Sequence, residues 1–258
     1  MRWRLLLTQP FDGPDNMALD EALLARARVH GEYVLRVYAW QPATLSLGRN
    51  QRARDVFDRP SSAAQTLPVV RRLTGGRAVL HHREVTYSVS GPASPDDSLR
   101  ATYIMINGIL LGALHRLGVR AGIAMASERG RFPPPASAPC FELPAPGEIV
   151  LGDRKLVGSA QLRENDAFLQ HGSILIDDDQ GRVAGLTDVP LPAVAPAATL
   201  REAMGREPAL DEVAQALFDE VRARLDTQSS MLELDDVLAA AMRSARQRYV
   251  SDLWTWRR

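Results

Sequence analysis

Cysteine is nearly absent from this chain of 258 residues, because Cys140 is the only one. A lone cysteine excludes an intramolecular disulfide and any metal site built on a cluster of cysteines. Long apolar runs are also absent, since no stretch approaches the roughly 20 residues needed to span a bilayer. The first four residues, Met-Arg-Trp-Arg, lack the apolar region of a signal peptide. These absences predict a cytoplasmic protein with no membrane segment.

Net charge is missing too, because 31 basic residues balance 31 acidic ones. A formal net charge of zero argues against nucleic acid as a general partner, which would favour a basic surface. No paired histidine or carboxylate spacing resembles a zinc or calcium site, so we predict neither a metal nor another resident cofactor. With 45% hydrophobic and 24% charged residues, the composition is that of a globular protein long enough for a sizeable core.

Lysine is the scarcest charged residue, since Lys155 is the only one and every other basic residue is an arginine. An ammonium group is a compact charge whose pKa can fall, whereas a guanidinium stays protonated. Lys155 is therefore a candidate for chemistry that arginine cannot perform. The alternative is that one lysine survives by chance on an exposed turn.

Hydrophobic periodicity predicts long helices interspersed with short strands. The predicted helices cover 15–30, capped by Asp15 and ended by Gly31, then a segment from just after Ser98 to Gly118, 209–225 and 234–249. The predicted strands cover 33–38, its short neighbour 44–48, 69–73, 78–90, 148–151, 155–163 and 167–176. Hairpins beside helices indicate the α+β class, with a mixed, largely antiparallel sheet flanked by helices. We predict one domain over 1–258, with 207–258 as a C-terminal helical extension packed on it.

The stretch 122–147 has no period and is rich in proline. Loops this long in a compact domain are usually functional or disordered, and this one carries Cys140. A thiol attacks as the thiolate, so a catalytic cysteine needs a nearby cation or base, and Lys155 on the next strand is the obvious candidate. The alternative for a lone cysteine is an inert, buried, small apolar residue.

The densest motif is Arg-Arg-Leu-Thr-Gly-Gly-Arg-Ala-Val-Leu-His at 71–81. Its glycines, Gly75 and Gly76, allow backbone to approach a ligand closely and to present N–H groups, while the flanking Arg72 and Arg77 supply charge. Taken alone, such a glycine pair is usually a hairpin turn. The motif fits neither a Walker loop nor the Rossmann glycine pattern.

Two further motifs lie on predicted strands. In Lys-Leu-Val-Gly-Ser-Ala-Gln at 155–161, the run from Gly158 to Ala160 suggests a strand kept bare for a ligand or another backbone, although a bulge or a crowded helix crossing is the alternative. In Gln-His-Gly-Ser at 170–173, His171 could be a base, a hydrogen-bonding positioner or a satisfied core histidine. His81 has the same ambiguity.

Together these three motifs resemble the biotin/lipoate protein ligase family, and Arg-Tyr-Val-Ser-Asp-Leu-Trp at 248–254 resembles its C-terminal helix. The resemblance extends from about residue 15 to the C-terminus. It implies a mixed sheet with flanking helices, which transfers an octanoyl or lipoyl group to a lysine of a small acceptor domain.

Two chemistries occur within that family. Ligases that activate free lipoate with ATP carry a third glycine where this chain has Arg77, and an aspartate where it has His82. Octanoyltransferases similar to those ligases instead carry Thr-Gly-Gly-Arg-Ala-Val-Leu-His, and a Cys-Phe pair ahead of the motif that begins with lysine. This chain has both features, the first at 74–81 and the second at Cys140, ahead of the motif at 155–161. The resemblance therefore implies octanoyl transfer, with Cys140 forming the acyl-enzyme and Lys155 lowering the thiol pKa and moving protons.

The donor implied by the resemblance is octanoyl acyl carrier protein, and the acceptor is a lipoyl domain or the glycine cleavage H protein. The implied substrate-binding positions are Arg72, Thr74, Gly75, Gly76, Arg77, His81, Gly158, Ser159, Ala160, His171 and Gly172. An ATP-dependent lipoate ligase, an amidotransferase acting between lipoyl proteins and a non-catalytic regulator remain the alternatives.

Overall fold

The computed structural model describes residues 1–53, 56–57, 67–94, 98–125, 146–186 and 195–257. Its helices are α1 (Gly13–His30), α2 (Leu99–Arg116), α3 (Leu200–Met204), α4 (Leu210–Arg224), α5 (Asp236–Tyr249) and α6 (Asp252–Thr255), with a 3₁₀ helix at Gln180–Leu186. Its strands are β1 (Trp3–Leu7), β2 (Tyr33–Tyr38), β3 (Thr44–Leu47), β4 (Val69–Arg71), β5 (Val79–His81), β6 (Glu84–Pro92), β7 (Gly122–Ile123), β8 (Ile149–Leu151), β9 (Arg154–Glu164), β10 (Ala167–Leu175) and β11 (Ser230–Met231). None of the helices in these ranges has the length and apolar character needed to cross a membrane.

The strands form one large and one small sheet. The large sheet has the order β11-β1-β2-β6-β10-β9-β8-β7, and the small sheet has the order β4-β3-β5. In the large sheet β1 runs parallel to β11 and β2, while the pairings from β2 to β7 are antiparallel. The predicted α+β class with a mixed, largely antiparallel sheet flanked by helices is confirmed.

The two faces of the large sheet differ in chemistry, as β6 illustrates. Val85, Tyr87 and Val89 belong to a core cluster that also contains buried residues of α2 and α4. Thr86 and Ser88 alternate with them, so their hydroxyls occupy the opposite face, which α1 covers. The sheet therefore has an apolar core on one side and a buried polar layer on the other.

Helix α1 begins earlier than predicted. Asp12 is the N-cap, and its carboxylate accepts a hydrogen bond from the backbone N–H of Asp15 at 2.8 Å. The prediction of Asp15 as the cap is wrong, because Pro14 suits the first turn of a helix and moves its start upstream. Gly31 ends the helix as predicted, in the left-handed region at φ 61°.

The segment 44–48 was expected beside 33–38, and this prediction is wrong. Strand β3 lies in the small sheet between β4 and β5, because both edges of β2 are occupied by β1 and β6. The predicted strand 78–90 also divides after His81, where the chain leaves the small sheet and enters the large one at Glu84.

The hairpin-turn interpretation of Gly75 and Gly76 is wrong as well. The strands on either side of this pair, β4 and β5, both bond to β3 and not to each other. The loop that contains Gly75 and Gly76, at 74–77, is called the glycine loop below. It connects the two outer strands of the small sheet, which lie on opposite edges of β3.

Most other element boundaries agree with the predictions to within a few residues. The predicted helices at 209–225 and 234–249 correspond to α4 and α5, and the predicted β meander corresponds to β8, β9 and β10. The elements that were not predicted include β7, β11, α3 and α6, which are too short to show a period. Strand β1 was also missed. The assignment of 207–258 as a C-terminal extension stays a prediction.

The C-terminal helices support the glycine loop from outside. On α5, the Tyr249 hydroxyl donates to the Glu21 carboxylate of α1 at 2.8 Å. On α6, the Trp254 indole N–H donates to the Arg71 carbonyl at 2.9 Å, and the Arg71 Nε donates to the Thr255 carbonyl at 2.8 Å. Because Arg71 is fully buried at the start of the glycine motif, it is an anchor of the fold.

Candidate active site

A pocket lies between the polar face of the large sheet and the small sheet. It encloses about 340 Å³ of empty space, part of which opens to solvent. Its walls come from β2, β6, β9 and β10 of the large sheet and from the small sheet. The lining residues are Tyr38, Trp40, Arg72, Val79, His81, Thr86, Gly158, Ser159, Ala160, His171, Gly172 and Ser173. The mixture of aromatic walls with a few polar groups is typical of a small-molecule site.

One wall of the pocket is a row of residues paired across four strands. Tyr38 of β2 pairs with Thr86 of β6, Thr86 pairs with Ser173 of β10, and Ser173 pairs with Gly158 of β9. Side chains paired in this way point to the same face of a sheet. The side chains in this row decrease in size from Tyr38 to Gly158, so the wall has no side chain at its β9 end. This end is called the bare wall below.

The glycine at position 172 is required by its neighbours. A Cβ added at Gly172 would overlap the Gly158 carbonyl oxygen and would lie 2.9 Å from both Ser159 Oγ and Tyr87 Cε1. Contacts this short force something to shift, so the two strands can approach only because Gly172 has no side chain. The predicted bare segment, Gly158 to Ala160, and Gly172 opposite it all lie at the pocket wall.

His81 is held at the pocket by Trp40, Glu84 and Ser46. Its ring stacks on Trp40 with 3.9 Å between centroids, and its Nδ1 lies 2.7 Å from a Glu84 carboxylate oxygen. Its Nε2 lies 2.6 Å from Ser46 Oγ, which also accepts a hydrogen bond from Arg72 at 2.7 Å. The ring carries a proton on Nδ1, because the Glu84 carboxylate oxygen that this nitrogen faces accepts a hydrogen bond.

Arg72 ties the glycine loop to the small sheet. One terminal nitrogen donates to the Ser46 carbonyl at 2.9 Å, and the other donates to the carbonyls of Gly75 and Arg77, both at 2.9 Å. Arg72 therefore has two places in the site, because it lines the pocket while its guanidinium binds the loop carbonyls. Gly76 has a positive φ of 91°, where a side chain would be strained, and a Cβ there would lie 3.2 Å from this guanidinium.

His171 connects the glycine loop to α1. Its Nε2 lies 2.6 Å from Thr74 Oγ1, and its Nδ1 lies 3.1 Å from Asp20 Oδ2. Burial lowers the pKa of His171 below the usual value of 6.5, even though the hydrogen bond and charge of Asp20 act in the opposite direction. The ring is therefore neutral at pH 7.

Asp20 remains ionised although it is buried on α1. Burial by itself raises the pKa of this carboxyl, but the His171 hydrogen bond and the Arg36 charge outweigh it, so the pKa lies below the usual value of 3.8. Arg36 donates to Asp20 Oδ1 at 2.9 Å, with both side chains almost fully buried. The result is a paired charge directly behind the pocket.

Lys155 is buried, with only 4% of its surface exposed. Its Nζ donates to Glu148 Oε1 at 2.8 Å, and Glu148 precedes β8, the strand that pairs with the start of β9. The alternative of a lysine on an exposed turn is therefore wrong. Lys155 lies three residues before Gly158 on β9, which corresponds to about 10 Å of extended strand.

The predicted site residues fall into three groups. Arg72, His81, His171, Gly172 and the segment from Gly158 to Ala160 line the pocket. Thr74, Gly75, Gly76 and Arg77 form the adjoining loop, and Lys155 lies farther along β9. The predicted nucleophile, Cys140, lies outside the described residues. In the described ranges, no group of three or more His, Cys, Asp or Glu side chains is arranged to hold a metal ion.

Sequence reasoning missed several residues around the pocket. Those absent from the predicted set are Tyr38, Trp40, Val79, Thr86 and Ser173 in the lining, with Asp20, Glu84 and Glu148 behind it. The sequence did contain a signal for Asp20, because it lies four residues before Leu24 and therefore on the apolar face of α1. A carboxylate on such a face is buried and needs a partner. For the others no local signal distinguishes a lining residue from a core residue.

Comparison with known proteins gives consistent matches. The family model of the lipoyl protein ligase A/B catalytic domain matches residues 12–222, which is more than half of the chain. A curated protein of Kyrpidia tusciae named octanoyltransferase LipM is 38% identical over 275 residues, covering 99% of each chain. A protein of the same name from Brevibacillus brevis is 35% identical, covering 100% of this chain and 99% of its relative.

Solved structures show the same fold. A lipoate-protein ligase A bound with ATP superposes with a TM-score of 0.77 at 21% identity, covering 99% of both chains. A bipartite lipoate protein ligase from Thermoplasma acidophilum, solved with its E2 lipoyl domain in a study of archaeal lipoylation, gives 0.75 at 20% identity and covers 99% of this chain and 96% of its own. On the match of the family model and these full-length relatives, the chain belongs to the lipoyl protein ligase A/B catalytic domain family.

Proposed function

We propose that this chain transfers an octanoyl group from octanoyl acyl carrier protein to a lysine of a lipoyl domain or glycine cleavage H protein, through a thioester on Cys140. Octanoyl transfer in protein lipoylation is supported by the full-length relatives named octanoyltransferase. The acyl carrier donor, the choice of acceptor and a cytoplasmic location belong to the proposal.

The observation that carries the proposal is the pocket with its bare wall. Trp40, Tyr38 and Val79 give it an apolar surface suited to an eight-carbon acyl chain, which gains free energy when its methylene groups leave water. Gly158 removes a side chain from the pocket wall. An acyl carbonyl can therefore lie against the backbone of β9, the strand that also carries Lys155.

The proposed reaction has two balanced steps. The Cys140 thiolate attacks the carbonyl carbon of the donor thioester, a new thioester forms as the donor C–S bond breaks, and the carrier leaves as a thiolate that takes a proton from solvent. The acceptor lysine ammonium then loses one proton, and its neutral amine attacks the Cys140 thioester. The nitrogen loses a second proton to solvent as the C–S bond breaks, so an amide forms and Cys140 leaves as a thiolate. Both steps exchange one acyl bond for another, so neither requires nucleotide.

Lys155 is proposed to serve both steps. As an ammonium it stabilises the Cys140 thiolate, and as a neutral amine it accepts the proton from the incoming lysine. Glu148, 2.8 Å from Lys155 Nζ, orients the ammonium and balances its charge inside the protein.

The decisive experiment mixes the protein with octanoyl acyl carrier protein in the absence of ATP and follows intact mass. We expect one octanoyl group on the enzyme, mapped to Cys140 and released by hydroxylamine, which cleaves a thioester and leaves an amide intact. Addition of a lipoyl domain should then move the group to the acceptor lysine. Cys140→Ala should abolish both steps, whereas unchanged transfer by this variant would overturn the thioester mechanism.

Two other outcomes would reassign the reaction within the family. Modification that requires ATP and free lipoate, with release of pyrophosphate, would identify a ligase. Transfer from an octanoylated H protein but not from the acyl carrier protein would identify an amidotransferase. Arg77, whose carbonyl is held by Arg72, occupies the position of the third glycine in the ligase motif and leaves less room for a nucleotide phosphate.

A further inference from the structure

Two arginines beside the glycine loop have side chains that no protein group binds within the described ranges. Arg49 is half-buried and Arg52 is exposed, and neither guanidinium forms a hydrogen bond or an ion pair with a described residue. We propose that these two side chains bind the phosphate group in the arm that carries the octanoyl donor. The inference rests on the proposed function, because it takes an octanoyl group on a carrier arm as the substrate.

The turn at 48–52, called the arginine turn below, has a backbone that buried groups hold in place. Arg71 is fully buried and donates to the Gly48 carbonyl at 2.6 Å and to the Gln51 carbonyl at 2.8 Å. The Gln51 side chain closes the turn, because its oxygen accepts from the Gly48 N–H at 3.1 Å. Arg257 donates to the Arg49 carbonyl at 2.6 Å. The backbone of the turn is therefore fixed without using the side chains of its two arginines.

The arginine turn contacts the glycine loop directly. The Arg49 N–H donates to the Thr74 carbonyl at 2.8 Å, and a Cβ added at Gly48 would overlap the Gly76 carbonyl oxygen. Gly76 also lies close to the pocket wall, since a Cβ there would lie 3.9 Å from the Cβ of Ala160, which lines the pocket. A single residue of the glycine loop therefore separates the pocket lining from the arginine turn.

The charge around the arginine turn favours an anion. Besides Arg49 and Arg52, Arg77 lies in the adjoining glycine loop, and the Arg257 guanidinium lies next to the turn, 4.1 Å from the centre of the Trp254 ring. No carboxylate of the described residues pairs with Arg49 or Arg52. A guanidinium binds phosphate oxygens through parallel N–H donors, so two such side chains on a fixed turn suit a phosphate.

A carrier arm brings a phosphate to this part of the surface. The thiol of an acyl carrier protein ends a long arm that is joined to the protein through a phosphodiester. When the octanoyl group fills the pocket, the thioester lies at the mouth and the rest of the arm leaves across the rim, where the arginine turn adjoins the glycine loop. The acceptor lysine has no phosphate, so a site of this kind favours the donor over the acceptor.

The test measures binding separately from transfer, in Cys140→Ala, which cannot form the thioester. Octanoyl-phosphopantetheine and octanoyl-pantetheine differ only in the phosphate, and we expect the first to bind about tenfold more tightly, as for a hydrogen bond to a charged group. Adding Arg49→Gln should remove this difference, and adding Arg52→Gln, on an exposed side chain that the fold does not use, should reduce it. Arg120→Gln is the matched control and should keep the difference. Arg120 is also exposed, but it follows α2, which covers the opposite face of the large sheet.

With Cys140 intact and octanoyl acyl carrier protein as the donor, Arg49→Gln should raise the KM about tenfold and change kcat little. Equal binding of the two small donors by Cys140→Ala, or a difference that survives Arg49→Gln, would overturn the phosphate site. A raised KM for the carrier protein with that difference intact would assign Arg49 to the protein surface of the carrier and would overturn the site as well.

Two outcomes separate the phosphate site from the proposed function. Octanoyl-coenzyme A has the same arm on a nucleotide, so a lower KM for it than for the carrier protein would keep the site and replace the donor of the proposed function. Absence of octanoyl transfer by the wild-type protein would overturn the proposed function, whereas binding by Cys140→Ala that depends on the phosphate and on Arg49 would still support the site.

Discussion

Lys155 and Glu148 form a buried ion pair, with 2.8 Å between Nζ and Oε1. The pair joins the start of β9 to the residue before β8, so the hairpin geometry sets the position of the ammonium. A buried charge of this kind is tolerated only with a partner, because an isolated ammonium inside a protein loses its hydration without compensation. The only lysine of the chain is therefore held at a defined point on β9, the strand that also contributes the bare wall of the pocket.

Lys155→Arg is expected to reduce octanoyl transfer although it keeps the positive charge. A guanidinium does not titrate near neutral pH, so it cannot accept the proton of the incoming lysine, and general acid–base help is typically worth about 10²–10⁴-fold. Burial of Lys155 adds a stability cost of about 1–3 kcal/mol for the larger side chain. Single-turnover rates and a melting curve on the same sample measure both effects.

Arg154→Lys provides the control for that variant, because Arg154 is the neighbouring residue and pairs with Glu202 at the surface. We expect its transfer rate and melting temperature to match the wild-type values. Retention of more than about a tenth of the wild-type rate by Lys155→Arg would contradict a proton-transfer role for this lysine.

Glu148→Gln should both destabilise the protein and change the reactivity of Cys140. Breaking a buried ion pair by removing one charge typically costs about 3–5 kcal/mol. Removal of the negative charge also strengthens the field of Lys155, so the Cys140 thiolate should persist to lower pH. The pH dependence of alkylation by iodoacetamide measures this shift, with chemical denaturation reporting stability.

Glu202→Gln is the matched control, since Glu202 pairs with Arg154 at the surface, where an ion pair contributes only about 0–1 kcal/mol. Glu202→Gln should leave the pH dependence of Cys140 alkylation and the stability to denaturant near their wild-type values. A thiol that alkylates with the same pH profile in Glu148→Gln and in wild type would place Cys140 beyond the influence of this ion pair.

The stability of the protein should fall on mild acidification because of His171. Burial holds the pKa of this ring below 6.5, so the folded state favours the neutral form. The resulting stabilisation is complete above pH 6.5, where the ring is neutral in the folded and unfolded chains alike, and it is lost as the pH falls through the folded-state pKa. Chemical denaturation at pH 7.5 and at pH 5.5 tests this expectation.

His171→Gln should flatten that pH dependence, whereas His30→Gln, on an exposed residue at the end of α1, should not. Equal slopes in the wild-type protein and in His171→Gln would assign the acid sensitivity to other groups.

Gly172→Ala is expected to destabilise the sheet where β9 and β10 approach each other. A Cβ there would overlap the Gly158 carbonyl oxygen, and overpacking of this kind typically costs about 1–3 kcal/mol. Gly108→Ala is the contrasting change, because a Cβ at that position of α2 has no neighbour within 4 Å and alanine favours a helix by about 1 kcal/mol. Opposite shifts in melting temperature are expected, and a stable Gly172→Ala with unchanged transfer would contradict the close strand approach.

Local patterns in the sequence were sufficient for much of the fold. The helix ended by Gly31, the strand at 33–38 and the meander from β8 to β10 were predicted from periodicity and turn residues, because the interactions that define them lie within a few residues along the chain. The pairing of β3 with β4 and β5 was not, since sheet membership depends on which strand edges are already occupied.

The sequence by itself determined three candidate motifs, which are the glycine loop, the strand from Gly158 to Ala160 and the His171 motif. All three border one pocket. Only the tertiary structure decided the partners of these residues. Asp20 reaches His171 across 151 positions of sequence, and Thr74 reaches it across 97. A buried polar group must find its hydrogen-bond partner wherever folding places one, and that choice depends on the packing of α1 and the small sheet against the large sheet, which no local pattern encodes.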